Sequence, residues 1–339
     1  MAEGLTRALD EMARRDVDVL VLGREGNARF VSGATRLWLA GTRPFAPGCV
    51  VVRETGAVHL MIATDFGVPA QVPRARLYPM SWNPVNIMDA VAAIAGVSSA
   101  RRIGVDGLTP LFEQLFTATF PGAHLADGEA VMRAARRVKS AREIESIRAA
   151  ISVAEDAFAV GAEALRPGVR ELELKGVFEE RMCRSGTTTP AFEGAFCVVD
   201  DEPVRRLASD RVIVDGDLVA MSAGVLLDGW EGSLARTRRC GAQTTEDRDR
   251  RSRWAAQWTP LVDRCRAGAR VGDLRVSAGA SIHGVGLGAE ALEDSAALEP
   301  GMVVQLELEA NGVLGADTLL VGDGGAEVLT AFPYAAGGD

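Results

Sequence analysis

The sequence predicts an α/β domain over residues 1–134, followed by a second domain of different character over residues 135–339. Helical and strand-like segments alternate through the first part, which is typical of an α/β domain. Near residue 135 this alternation ends and a long, capped amphipathic helix begins. A chain of 339 residues is long enough for two domains of ordinary size.

Each element of the first domain follows from a local pattern. Short β-branched and apolar runs between turn residues predict strands, and amphipathic segments predict helices. The predicted strands are 17–23, 48–53, 58–63 and 102–106. The predicted helical segments are 5–15, 27–33, 86–95 and 109–120.

The second domain begins with Ser140, which is followed three residues later by Glu143 and so forms a capping box. Apolar residues then recur with a period of 3.6 to about Leu165, which predicts a long helix. A second helix is predicted over 172–185, and a third from 246 to 262. Residues 216–239 predict a β-hairpin that reverses at Asp228-Gly229, because both residue types tolerate positive φ.

Composition excludes several classes of protein. The net charge of −9 argues against a nucleic-acid partner, which would need a basic face. No apolar run reaches the roughly 18 residues of a membrane helix, and the polar N-terminal segment lacks the apolar core of a signal peptide. We therefore expect a cytoplasmic protein without membrane partners. Five scattered cysteines fit reduced thiols, and only three histidines are present.

The predicted hairpin carries the frame Gly216-Asp-Leu-Val219, Gly229-Trp230 and Ala235-Arg-Thr237. This frame resembles that of the peptidase M24 family, which includes Xaa-Pro dipeptidases, aminopeptidase P, methionine aminopeptidase and creatinase, and Arg236 is expected to support the hairpin. Further similar strings are Asn27–Gly33, Lys139–Arg148, Ser209–Ile213, His283–Leu287, Leu298–Val304 and Gly315–Val321. The resemblance implies an α/β N-terminal domain of the creatinase/prolidase type and an α+β C-terminal domain with the pita-bread fold.

The resemblance also implies five metal-ligand positions, which the family fills with two aspartates, one histidine and two glutamates. This sequence has Ser222, Ser233, His283, Glu307 and Ala316 there. A neutral hydroxyl is a poor ligand for a divalent cation, and a binuclear site needs bridging carboxylates. We therefore expect no bound metal and no other cofactor.

Two functions remain open for such a site. The first is a metal-independent enzyme that hydrolyses a C–N bond, or acts as a lyase or isomerase, on a small anionic molecule. The second is an inactive relative that binds a small molecule or a protein. The candidate catalytic residues are His283, Glu307 and Glu290. The candidate substrate-binding residues are Arg205, Arg206, Arg43, Ser222 and Ser233.

The three arginines are candidate substrate-binding residues because of the resemblance to the family. The family's proton-transfer histidine falls on Arg205, with Arg206 beside it, and a guanidinium can bind a carboxylate but cannot exchange protons near neutral pH. Arg43 lies near the position where creatinase has an arginine that reaches the partner subunit's pocket. The resemblance therefore implies a homodimer.

Overall fold

A computed structural model of the chain describes residues 2–35, 46–200, 203–275 and 279–334. The residues form two compact units, 1–137 and 138–339. No helix among the described residues is both long enough and apolar enough to cross a membrane.

The first unit is built on a mixed six-stranded sheet with the order β4-β3-β2-β1-β5-β6. Its strands are β1 Val19–Leu22, β2 Cys49–Val52, β3 Ala57–Ile62, β4 Leu77–Pro79, β5 Arg102–Val105 and β6 His124–Asp127. Its helices are α1 Ala2–Arg14, α2 Glu25–Ser32, α3 Pro84–Ala92, α4 Pro110–Thr119 and α5 Gly128–Arg136. The alternating pattern is confirmed, although β4, β6 and a 3₁₀ turn at Arg74–Arg76 were not predicted.

The second unit contains an eight-stranded sheet with the order β11-β10-β12-β13-β9-β8-β7, with β14 paired to β13. Its strands are β7 Ala195–Val198, β8 Leu218–Leu227, β9 Trp230–Arg239, β10 Ala280–Gly286, β11 Gly288–Glu290, β12 Val303–Ala310, β13 Val313–Val321 and β14 Ala326–Val328. Its helices are α6 Ala141–Glu163, α7 Glu171–Arg184, α8 Thr245–Arg264 and α9 Val271–Leu274.

Two local predictions in the second unit are confirmed. The Ser140 side chain accepts from the Glu143 amide, and the Glu143 carboxylate accepts from the Ser140 amide, which completes the capping box at the start of α6. The hairpin β8–β9 reverses at Asp228 and Gly229, with φ values of 48° and 86°. Gly232 lets α6 lie directly against this hairpin, because a Cβ there would meet the Ala150 backbone at 2.2 Å.

Behind the hairpin lies a buried polar cluster, called here the back network, made of Arg236, Asp317, Thr330, Phe332 and Tyr334. Arg236 donates to the carboxylate of Asp317 at 2.7 Å and to the carbonyl of Phe332 at 2.6 Å. Asp317 also accepts from the hydroxyls of Thr330 and Tyr334, at 2.6 and 2.7 Å. The back network therefore ties the segment after β14 to β9 and β13, which is the supporting role expected for Arg236.

Candidate active site

The strand register brings the five ligand positions of the predicted site to one face of the sheet. Directly paired residues point to the same face, and so do residues two apart on one strand. Ala235 pairs with Ser222 on one side and with Ala316 on the other, and Ala316 pairs with Glu307. The next strand, β10, adds His283, two residues from the partner of Glu307.

This surface, defined by Ser222, Ser233, His283, Glu307 and Ala316, is called here the front face. Ser233 lies two residues before Ala235 on β9 and so belongs to it. The five ligand positions therefore lie on one face of the sheet, as expected. The residue types at these positions decide which reactions the site can perform.

Glu231, which is not among the predicted site residues, lies beside His283. Its Oε1 is 3.7 Å from Nε2 of His283 and accepts a hydrogen bond of 2.9 Å from the Ser233 hydroxyl. That hydroxyl in turn accepts from Nε2 of Gln305 at 2.9 Å. The Glu231 side chain is 1% exposed, and within the described part of the chain its Oε2 has no hydrogen-bond partner.

Glu231 could have been found from the sequence by strand periodicity. It lies two residues before Ser233 on the same arm of the predicted hairpin, so both side chains point to the same face. It falls outside the family's ligand positions, which is why the resemblance did not indicate it.

Arg206 places a positive charge at the front face. Its Nη2 lies 2.8 Å from Oε2 of Glu309 and 3.1 Å from Oε1 of Glu307. Glu309 also accepts from the amide of Val204, which fixes the loop that carries Arg206. Only Nη2 of the guanidinium makes these contacts, and the side chain is 45% exposed. Its Nε and Nη1 donors can therefore reach a bound molecule.

Arg205 has a different partner. Its Nη2 lies 2.7 Å from both carboxylate oxygens of Glu171. Glu171 is fully buried and also accepts from the amides of Val198 and Ser209. Arg205 is thus part of a connection between α7, β7 and the loop after β7. The use of Arg205 as a substrate clamp stays a prediction.

The two arginines lie close to one another at the β7 edge of the front face. Burial raises the pKa of the Cys197 thiol, Glu171 adds to this rise, and Arg205 and Arg206 oppose it. Cys197 pairs with Ala220, so its side chain is on the front face. Both guanidiniums are therefore within electrostatic reach of one front-face residue.

The proposed place of Glu290 beside His283 requires correction. Glu290 pairs with Gly284, the neighbour of His283, so its side chain points to the opposite face. Its carboxylate lies over the backbone of Gly284 and Gly286 and forms an ion pair of 2.7 Å with Lys139, whose side chain is 2% exposed. Glu290 therefore stabilises the start of the second unit instead of joining the catalytic candidates. Arg43 lies outside the described residues.

The residues at the front face do not fit a pair of metal ions. Ala316 is fully buried in an apolar cluster with Val204, Ala220, Ala235 and Leu314. The Ser233 hydroxyl donates to Glu231 and accepts from Gln305, and Glu307 is paired with a guanidinium. Within the described ranges, no group of three or more His, Cys, Asp and Glu side chains could hold a metal ion.

Comparison with known proteins identifies both units. Residues 5–138 match the model of the creatinase/prolidase N-terminal domain, and residues 145–289 match that of metallopeptidase family M24. An uncharacterized peptidase of Bacillus subtilis is 26% identical over 345 residues, which cover 94% of both chains. A methionine aminopeptidase of Treponema pallidum is 33% identical over 141 residues. The match covers 40% of this chain and 55% of that protein, so this chain spans only about half the length of that relative.

Solved structures confirm the predicted fold class. The prolidase of Pyrococcus horikoshii superimposes with a TM-score of 0.79 at 20% identity, covering 98% of this chain and 99% of that one. The Xaa-Pro dipeptidase of Bacillus anthracis gives a TM-score of 0.80 at 20% identity, covering 98% of both chains. The α/β N-terminal domain and the α+β pita-bread domain are therefore both present.

Proposed function

This chain belongs to the peptidase M24 family, and we propose that it is a divergent, metal-independent enzyme that hydrolyses a C–N bond in a small anionic molecule. The observation that carries this proposal is the ion pair between Arg206 and Glu307. The guanidinium of Arg206 is paired with Glu307, the one carboxylate left among the family's five ligand positions. The related proteins named aminopeptidase and dipeptidase support C–N bond cleavage.

Arg206 binds and polarises the substrate in this proposal. Glu307 and Glu309 hold one nitrogen of the guanidinium, so the remaining N–H groups keep a defined direction. They can donate to a carboxylate or to the oxygen that becomes negative during attack on a carbonyl group. Glu307, predicted from the sequence as a catalytic residue, acts in this proposal by positioning Arg206.

His283 is the proton-transfer group. Its side chain is 32% exposed, so a bound molecule can reach the imidazole. An imidazole can remove a proton from water and deliver it to the departing nitrogen. A lyase or isomerase reaction would use the same imidazole and guanidinium, and product analysis distinguishes these reactions from hydrolysis.

A second function, binding without turnover, is favoured by one observation. Val204 packs with Ala235 and Ala316 in the apolar cluster of the front face, so apolar side chains fill part of the region where the family has polar ligands. Such a surface can hold a small molecule or a peptide without supplying a reactive group. The predicted homodimer and cytoplasmic location stay predictions.

A screen of N-acyl amino acids, guanidino acids and dipeptides tests the proposal, with amine release measured by mass spectrometry and metals by elemental analysis. We expect turnover without stoichiometric metal, loss of turnover in His283→Ala, and binding weakened about 10-fold or more in Arg206→Ala, since a charge-assisted hydrogen bond contributes about 1.5–3 kcal/mol. Arg206→Lys keeps the charge without the fork, and Arg148→Ala removes an exposed arginine paired with Glu327 as the control.

Each outcome decides between the two functions. Two metal ions per chain would overturn metal independence, and unchanged turnover in His283→Ala would overturn the proposed role of the imidazole. Binding that depends on Arg206 but yields no product with any of these substrates would establish the binding function instead.

A further inference from the structure

Among the residues that the structure describes, Glu231 is a carboxylate beside the front face that the proposed reaction does not use. We infer that it is a positioning residue, which holds His283 in the tautomer with the proton on Nε2 and leaves Nδ1 to exchange protons with a bound molecule. Its place in catalysis rests on the proposed function, whereas its effect on the imidazole does not.

Burial gives the first argument. A carboxyl group that is 1% exposed needs hydrogen-bond partners, because an unsatisfied buried polar group is costly. Ser233 supplies one donor to Oε1, and Oε2 has none within the described segments. A carboxylate in this state will attract any donor that can move towards it.

The imidazole of His283 is placed to be that donor. Its Nε2 lies 3.7 Å from Oε1 of Glu231, slightly beyond a hydrogen bond, and its side chain is 32% exposed. Catalytic hydrogen bonds are often long in structures without ligand and shorten when the substrate binds. A proton on Nε2 would give Oε1 a second donor beside Ser233, whereas a lone pair on Nε2 would face the lone pairs of that oxygen.

A chain of hydrogen bonds fixes the carboxylate itself. Gln305 donates to the Ser233 hydroxyl, and the single hydroxyl proton is then directed to Glu231. Gln305 also pairs directly with His283 between β10 and β12, so both ends of the chain reach the same part of the sheet. This arrangement uses Ser233 as a support for Glu231 and leaves it no free proton with which to act as a nucleophile.

The tautomer can be measured without knowing the substrate. The chain has three histidines, so ¹⁵N-histidine spectra are simple, and His283→Ala identifies the relevant signals. The spectra are recorded at pH of about 8, where free imidazole, with an ordinary pKa of about 6.5, is neutral. We expect a protonated Nε2 and an unprotonated Nδ1 in the wild type, a mixture of tautomers in Glu231→Leu, and partial return of the preference in Glu231→Asp.

Glu309→Gln is the control, because it removes another front-face carboxylate whose contacts are with Arg206 and Val204. It should leave the His283 tautomer unchanged. A wild-type spectrum with the proton on Nδ1, or an Nε2 preference that persists in Glu231→Leu, would overturn the inference. If the leucine variant fails to fold, the comparison is made with Glu231→Asp, which should show a weaker Nε2 preference than the wild type.

Turnover gives a separate readout. With a substrate in hand, Glu231→Leu should lower kcat about 10–100-fold and change KM little, and Glu231→Asp should restore part of kcat. If Glu231→Leu and Glu231→Asp lose kcat equally while Nε2 of His283 stays protonated, Glu231 has a structural role only. A held tautomer in a protein that turns over no substrate would contradict the proposed function while leaving the inference on the imidazole intact.

Discussion

The front face and the back network are built from neighbouring residues on the same two strands. On β9, Ala235 points to the front and Arg236 to the back, and on β13 the same holds for Ala316 and Asp317. Arg236 and Asp317 at the back lie in strings that resemble the family's, whereas three of the five ligand positions at the front have lost their carboxylates. One strand pair therefore carries a preserved support and an altered site on opposite sides.

The two sides differ in how completely their polar groups are paired. Every side-chain nitrogen of Arg236 donates, to Asp317, to Phe332 or to the carbonyls of Ala235 and Ala316. At the front, Oε2 of Glu231 has no partner among the described residues, and the half-exposed Arg206 keeps donors that reach solvent. A saturated network contributes rigidity, and an incompletely paired one is available to a ligand.

The largest effect is expected at the back. Arg236→Ala leaves the carboxylate of Asp317 buried without its cation, so the free energy of unfolding should fall by about 3–5 kcal/mol. Urea unfolding measures this change. Arg148→Ala, at an exposed pair with Glu327, should cost less than about 1 kcal/mol. Equal losses in the two variants would show that the back network is no stronger than a surface ion pair.

A smaller effect is expected at the front. Ser233→Ala removes the donor to Glu231 and the acceptor of Gln305, so the free energy of unfolding should fall by about 1–3 kcal/mol. Ser146→Ala, whose exposed hydroxyl bonds the carbonyl of Arg142, is the matched control and should change it by about 0.5 kcal/mol or less. A more stable Ser233→Ala protein would contradict the proposed support of the carboxylate.

The smallest expected effect is that of Tyr334 on the free energy of unfolding, and it is seen only at alkaline pH. Burial, followed by the nearby Asp317, raises the pKa of Tyr334 well above its ordinary value of 10.0. Above that pH the unfolded chain releases the phenol proton while the folded protein keeps it, so stability falls as pH rises.

The slope from this one group is at most about 1.4 kcal/mol per pH unit. Between pH of about 9 and about 11, the free energy of unfolding measured with urea should show this extra decrease in the wild type and not in Tyr334→Phe. His59 and the other titrating residues are the same in both proteins, so their effect cancels in the comparison. Parallel curves for the two proteins would place Tyr334 outside the buried part of the back network.

Much of the site was predictable because strand spacing fixes which side chains share a face. Ser222, Ser233 and Ala316 could be assigned to one surface from the hairpin and the family strings alone. The partners of Arg205 and Arg206 could not, because a one-residue step in a loop sends one guanidinium to buried Glu171 and the other to Glu307. Glu290 was misplaced because the tight turn before it decides its face.

The sequence by itself determined the two domains, the capped helix at Ser140, the reversal at Asp228 and the loss of negative charge at the ligand positions. These features depend on residues that are neighbours along the chain or on periodicity within one element. Only the tertiary structure decided that Arg206 pairs with Glu307 and that Glu231 lies beside His283. Those contacts join segments distant in sequence, and their geometry is set by sheet register and loop packing, which no local pattern encodes.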